Sequence, residues 1–441
     1  MIDAIRSKLA AATPRTRLLV LLALIAIGAT HCAPMSWNDE SRMATIQSIV
    51  ESHTLIIEHT DFASTGDKVF VDGHFYSDKP PMPAFLGAGI YFPLYTLGVR
   101  LREGPSAAYL LITLFTVGLA WILGTLAIFA ALRFTDLDEE GRFLVSCALG
   151  FGSTFMTWST TFNNHELAAG FLAIGFFFVL RARFDGRAID LLWAGLFLSL
   201  AGVCDIPTGV FYPIFFIYAL ASKELRSKWL FYILPLALTA LPTALANYSI
   251  HRSIMPVQIY REYFQYPGSP WNGSPDLSGM QTNAAAFTFR YALLTLVGPM
   301  GFLIYNPMLL VAIWYSVRNV PAKFRFHAES ICVLAGSALL VSYYWATTSN
   351  FSGWSYSIRW FVPILPLFFF FLFPYLLGST ARHRKFFTGG VAVSIVIAFV
   401  GALNPWSSLA YSNVPFAANI EQFVNHLQHP GQIYVKPRQP E

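Results

Sequence analysis

Two short stretches carry residue types that can do chemistry. In "SWNDESRMATIQ", residues 36–47, Asp39, Glu40 and Arg42 follow directly on an uncharged apolar run. In "FYSDKPPMP", residues 75–83, Asp78 and Lys79 stand against Pro80 and Pro81. Adjacent acids at such a place are either catalytic carboxylates or the opening of a helix. Asn38 is a good cap, and Asp39 and Glu40 then fall in the first turn, where acidic side chains favour the helix dipole. Met43, Ile46 and Val50 recur at helical spacing, which predicts an amphipathic helix lying on a membrane. Lys79 also reads two ways. Two prolines remove backbone donors and stiffen the chain, so the ammonium is held where it can meet a lipid phosphate. A lysine that snorkels at the interface is the alternative. Between the two stretches, "KVFVDGHFYS" alternates about Asp72-Gly73 and predicts a hairpin that ends by delivering Asp78 and Lys79.

The elements that position these residues belong to an integral membrane protein. Of 441 residues, 55% are hydrophobic and 12% charged, against about 25% charged in an ordinary soluble domain. A net charge of +5 is too small to argue for nucleic acid. The four cysteines, Cys32, Cys147, Cys204 and Cys332, show no ligand spacing and read as small buried hydrophobes. Eleven apolar stretches read as spans: 18–34, 107–132, 143–160, 167–181, 188–204, 207–222, 229–249, 291–317, 329–346, 360–378 and 386–403. The N-terminus resembles a signal peptide in outline, yet reads better as an uncleaved anchor because the rest of the chain also spans. A twelfth run, 83–101, decides the orientation of everything after it. If it does not cross, the inner pieces carry 18 of the 29 lysines and arginines, as the positive-inside tendency requires. The run is therefore expected to lie at, or dip into, the outer interface. The chain then divides into residues 1–34 (inner segment and first span), 35–106 (first outer loop), 107–403 (the remaining bundle) and 404–441 (an outer tail expected to pack loosely). No internal repeat is visible.

With the order of these motifs and spans laid out, the chain resembles the GT-C superfamily of polytopic glycosyltransferases. Within it the chain looks like the lipid A aminoarabinose transferase and the protein O-mannosyltransferase-like bacterial enzymes. Asp39-Glu40-Ser41-Arg42 matches an acidic pair and arginine that open the first outer loop. Tyr76-Ser77-Asp78-Lys79-Pro80-Pro81 matches an aromatic, an acid and Lys-Pro-Pro before an interfacial helix. The resemblance covers the whole topology and is specific in this loop. It implies an all-α polytopic fold and a polyprenyl-phosphate-linked sugar donor. It also implies a glycan, lipid or protein acceptor whose hydroxyl arrives from outside, inversion at the anomeric carbon, and residence in a bacterial inner membrane. By the same resemblance Asp39 is the general base, Lys79 binds the donor phosphate, Arg42 orients the acids, and Glu40 and Asp78 support the site or a divalent metal. A positioned base contributes about 10²- to 10⁴-fold, and a fixed cation stabilises the leaving phosphate.

The chain departs from the family at the second outer turn, "TTFNNHELAAG", where relatives commonly place a second aspartate. His165 or Glu166 can substitute there as base, ligand or acceptor-binding group, or His165 can cap a helix starting at Leu167. A metal is thus left open, with Asp39, Asp78 and His165 as candidate ligands. His53, His59 and His74 match no known site spacing. Asp205 reads as a helix cap before Pro207. Arg359, among Trp354, Tyr356 and Trp360, is either an interfacial anchor or a second phosphate contact. The aromatic, turn-rich loop 250–290 is the expected seat of acceptor choice. "YNP" at 305–307 predicts a kink. Two rival readings stand beside the transferase: a flippase for a lipid-linked sugar, disfavoured by spans nearly free of charge, and a non-catalytic scaffold.

Overall fold

The computed structural model describes residues 12–273, 289–348, 350–353, 355–406 and 414–428. Most of the 404–441 tail and part of the 250–290 loop lie outside these residues, as does Trp354. Helices stand at every apolar stretch the sequence offers. Among the described residues, six are long and apolar enough to cross a membrane: Ala107–Phe134, Asn164–Asp185, Arg226–His251, His327–Thr347, Arg359–Leu376 and Ala381–Leu403. Phe289–Tyr305 and Pro307–Arg318 would make a seventh, but are bent by 97°. The expected count of eleven is therefore not reached by length. The stretch 143–160 divides into Glu139–Gly150 and Thr154–Trp158, with Ser153 capping the second piece. Helices 188–204 and 206–221 are short apolar ones, and Pro14–Ala29 has 16 residues.

The bend at Tyr305-Asn306-Pro307 has a local cause. Pro307 brings no backbone N–H, and the Asn306 side chain braces the break. Its Oδ1 accepts from the Thr154 backbone N–H at 2.7 Å, and its Nδ2 donates to the Phe302 carbonyl at 2.8 Å. Elsewhere glycine lets helices touch. A Cβ at Gly170 would stand 2.5 Å from the Ala120 carbonyl oxygen, so helices 107–134 and 164–185 meet backbone to backbone, a common mode inside membranes.

Ion pairs sort the chain into two ends. Arg17 pairs with Glu140, Arg133 with Asp185 at 2.6 Å, Arg384 with Asp138 at 3.0 Å, and Arg183 with Glu329. The short basic loops thus meet at one end of the bundle. At the other end the Ser106 N–H donates to the Cys32 carbonyl at 2.8 Å, and the His31 N–H to the Thr160 carbonyl at 2.9 Å. Both ends of segment 34–106 therefore lie at the end opposite the basic loops. The Pro81–Thr96 helix within it turns back, with the Leu101 N–H donating to the Tyr91 hydroxyl at 2.9 Å.

Inside this segment the Trp37–Gln47 helix starts one step earlier than Asn38. Ser36 is the cap: its Oγ accepts from the Asn38 N–H, while Asp39 Oδ1 accepts from the Ser36 N–H, a reciprocal capping box. The helix does not lie on a membrane, because residues 38–47 are all buried. Met43, Ile46 and Val50 join Tyr91, Tyr109, Ile112 and Phe162 in one apolar cluster. The hairpin forms as the alternation predicts, β1 (Lys68–Val71) against β2 (His74–Ser77). Asp72 and Gly73 take φ of 49° and 88°, the left-handed pair that a two-residue hairpin turn requires. Val69 and Val71 pack on Val257 and Phe264, so the 250–273 stretch covers the hairpin.

Candidate functional site

The hairpin register brings two carboxylates together. Lys68 faces Ser77, so the next residues out, Asp67 and Asp78, flank the end of the ladder. Like charges so placed repel, and Lys79 relieves them. Its Nζ lies 2.8 Å from Asp67 Oδ2 and 2.9 Å from Asp78 Oδ2. Burial raises the Asp78 carboxyl above the usual range, partly offset by Lys79, and its Oδ1 has no hydrogen-bond partner.

Arg42 approaches from the Trp37–Gln47 helix and is buried. Its Nη1 donates to the Asn38 carbonyl at 2.7 Å and to Asn38 Oδ1, and its Nη2 donates to Asn164 Oδ1 at 2.6 Å. Nε is left without a partner. Burial pulls the guanidinium down to about 10, against the pull of Asp78, Asp67, Asp39 and Asp205, so it stays charged at neutral pH. Arg42 and Lys79 line one cleft together with Thr45, Tyr76, Ser77 and Asn247. The arrangement presents two cations and several polar side chains to one small volume, which is what a phosphate needs.

Asp39 is fully buried and saturated. Oδ1 accepts from the Ser36 N–H at 2.7 Å and the Ser36 hydroxyl at 2.8 Å. Oδ2 accepts from the Met35 N–H at 2.8 Å and from the Tyr109 and Thr161 hydroxyls, both at 3.2 Å. With five donors in place both carboxylate oxygens are engaged, and this geometry holds Asp39 as an anchor of the helix start. Glu40 is buried beside it.

The second turn is organised around Asp205. The Asn163 side chain, not His165, caps the Asn164–Asp185 helix, accepting from the Glu166 N–H at 2.9 Å. His165 instead faces Asp205, with Nδ1 3.3 Å from Oδ1. The same oxygen accepts from Asn164 Nδ2 at 3.0 Å, and Oδ2 from the Thr208 hydroxyl at 2.5 Å. Asp205 thus does more than cap the turn before Pro207. Glu166 is fully buried and neither of its oxygens has a polar partner, so it stands apart from this network. Arg359 is buried too. Its Nε donates to the Ser352 carbonyl at 2.9 Å, its guanidinium lies 4.7 Å from the Trp406 ring, and Arg42, Asp67 and Asp205 are within electrostatic reach. Tyr356 and Trp360 beside it are buried among aromatics, which replaces the interfacial-anchor reading with a packed one.

Among the described residues, no three His, Cys, Asp or Glu side chains gather closely enough to hold a metal ion. The three candidate ligands have separate partners: Ser36 and Met35 for Asp39, Lys79 for Asp78, and Asp205 for His165. His74 pairs with Glu58 at 3.1 Å. These residues do not fit a metal site. Two contributors went unnoticed in the sequence, Asp67 and Asn164. The hairpin register alone would have found the first, since a turn at 72–73 sets 67 against 78. The asparagine had no signal beyond its place in "FNNHE".

No protein-family model and no curated protein matches the chain. Solved structures do. ArnT from Cupriavidus metallidurans bound to undecaprenyl phosphate is similar with a TM-score of 0.54 and 14% identity, over 86% of this chain and 62% of ArnT. The oligosaccharyltransferase AglB from Archaeoglobus fulgidus, in complex with an inhibitory peptide and a dolichol-phosphate, gives a TM-score of 0.55 and 13% identity, over 92% of this chain and 55% of AglB. The chain spans less than two thirds of either protein. At such identities the likeness is one of fold, and on that ground the chain is a helical multi-pass membrane protein with the GT-C-like architecture that ArnT and AglB share.

Proposed function

We propose that this protein transfers a sugar from a polyprenyl-phosphate donor to an acceptor hydroxyl at the outer face of a bacterial inner membrane, with inversion. The observation that carries the reading is the shared cleft of Arg42 and Lys79 at the end opposite the basic loops. Basic loops tend to the cytoplasmic side, which supports an outward-facing cleft in reach of a lipid phosphate. Two of the similar structures contain such lipids, undecaprenyl phosphate in ArnT and dolichol-phosphate in AglB.

In this reading Lys79 and Arg42 receive the donor phosphate. Negative charge collects on it as the glycosidic bond breaks, and fixed cations stabilise that charge without reorganising. Arg359, within electrostatic reach of Arg42, adds a third cation toward the donor phosphate. Asp78 and Asp67 hold Lys79 in place, Asp39 and Glu40 hold the helix that carries Arg42, and His165 and Asp205 face the acceptor. Glycan, glycolipid and protein are all compatible acceptors, selected by the 250–290 loop.

The test has two arms. Purified protein in lipid nanodiscs is titrated with undecaprenyl phosphate, and envelope glycans of cells with and without the gene are compared by mass spectrometry. Saturable binding, lost in Lys79→Ala, together with a missing sugar in the deletion strain supports the reading. Absence of binding by the wild type overturns it.

A further inference from the structure

An acceptor hydroxyl must lose its proton as it attacks, and three of the first-loop acids already have partners. Asp39 already accepts five hydrogen bonds, and Asp67 and Asp78 both hold Lys79. Resting on the transfer reading above, we propose that His165, oriented by Asp205, is the group that accepts the acceptor's proton.

The geometry supplies the parts. His165 and Asp205 are both buried, with Nδ1 3.3 Å from Oδ1. The contact is an ion-pair approach without hydrogen-bond geometry; as it tightens around substrate, the carboxylate holds the ring proton on Nδ1 and leaves Nε2 as the basic atom. Among the described residues no hydrogen bond engages Nε2. Asp205 cannot swing away, because Thr208 and Asn164 both donate to it. Asn164 also accepts from Arg42 at 2.6 Å. One asparagine therefore ties the histidine's partner to the guanidinium that lines the phosphate cleft, so base and phosphate site are held in fixed relation.

The step balances. The acceptor oxygen forms its bond to the anomeric carbon as the bond from that carbon to the phosphate oxygen breaks. The electron pair of the broken bond leaves with the phosphate, opposite Lys79 and Arg42. The hydroxyl proton passes to His165 Nε2 and then to water. His165 is the catalytic residue in this scheme and Asp205 its positioning residue.

The experiment uses the full-length protein in nanodiscs with a panel of synthetic undecaprenyl-phosphate hexoses and pentoses and a cell-envelope extract as source of acceptor hydroxyls, reading release of undecaprenyl phosphate. His165→Ala should lower turnover by about 10²-fold or more, the usual contribution of a general base, while its affinity for undecaprenyl phosphate stays within about threefold of the wild type. Azide is already a deprotonated nucleophile. It should restore release in His165→Ala with formation of a glycosyl azide, and restore it in Asp205→Asn, but not in Lys79→Ala. Asp205→Glu should keep more activity than Asp205→Asn. If the wild type turns over while His165→Ala matches it, or binds lipid normally and azide fails to rescue, the assignment falls and the transferase reading survives. If the wild type releases nothing from the whole panel, the transferase reading falls and takes this assignment with it.

Discussion

Replacing Asp67 by asparagine separates a phosphate-binding Lys79 from one that only struts the hairpin. In the free protein the ammonium already has two carboxylates, at 2.8 and 2.9 Å. At an effective dielectric of about 20, a unit charge pair at that range attracts by roughly 6 kcal/mol gross. An arriving phosphate recovers most of this, since it replaces one anion by another. What it must overcome is the net value of one charge-assisted hydrogen bond, about 1.5–3 kcal/mol. Asp67→Asn removes that competition and should tighten undecaprenyl phosphate binding roughly ten- to a hundredfold. Asp72→Asn makes the same change in net charge at the hairpin tip, where asparagine tolerates the left-handed backbone, and should change affinity less than threefold. The assay is titration in nanodiscs at fixed salt, with melting curves to show that each variant is folded. Weaker binding in Asp67→Asn than in the wild type would refute the reasoning and leave Lys79 as a brace for two acids.

Four further outcomes follow from the same geometry. Lys79→Met should weaken binding by about 10²-fold or more, as it removes the cation and leaves two facing acids, and a loss under threefold in the same titration would contradict that. Asn164→Ala removes the neutral tie that positions the Arg42 guanidinium in the cleft and should raise Kd about tenfold by the value of a charged hydrogen bond. Burial raises Asp78, so its neutral form stabilises the fold at low pH and that contribution is lost as pH rises from the ordinary carboxylate range through the raised value. Asp78→Asn should accordingly melt at or above the wild-type temperature at about pH 7.5, with the gain shrinking towards about pH 4, and a lower melting point at neutral pH would reverse the sign. Glu166→Leu removes a buried carboxyl without partners and should stabilise by about 1–3 kcal/mol, which thermal unfolding in detergent checks.

Much of this site was legible in the residues. Asp72-Gly73 announced the hairpin, and its register follows from the turn. The double proline announced the Pro81 helix, and the basic loops announced which ends of the helices belong together. Other features depend on partners far along the chain. Ser36 outcompetes Asn38 as cap because Asp39 can answer it, a reciprocity that a list of good caps conceals. The Trp37 helix looks amphipathic, yet Ser41 meets Ser77 and the Asp67 carbonyl, and Thr65 donates to the Trp37 carbonyl. Its polar face is covered by protein and not by water. Hydropathy alone does not see a capped restart at Ser153 or a side chain that braces a break at Asn306.

The hydrogen bond between Ser106 and Cys32 brings together the two ends of a hood that also rests on Tyr109, Thr161 and Asn164. Because its entry and exit are adjacent, the hood adds little closure entropy to the helices below, and even doubling its length would add only about 0.6 kcal/mol. Such an attachment makes insertions in the hood cheap for the helices below it.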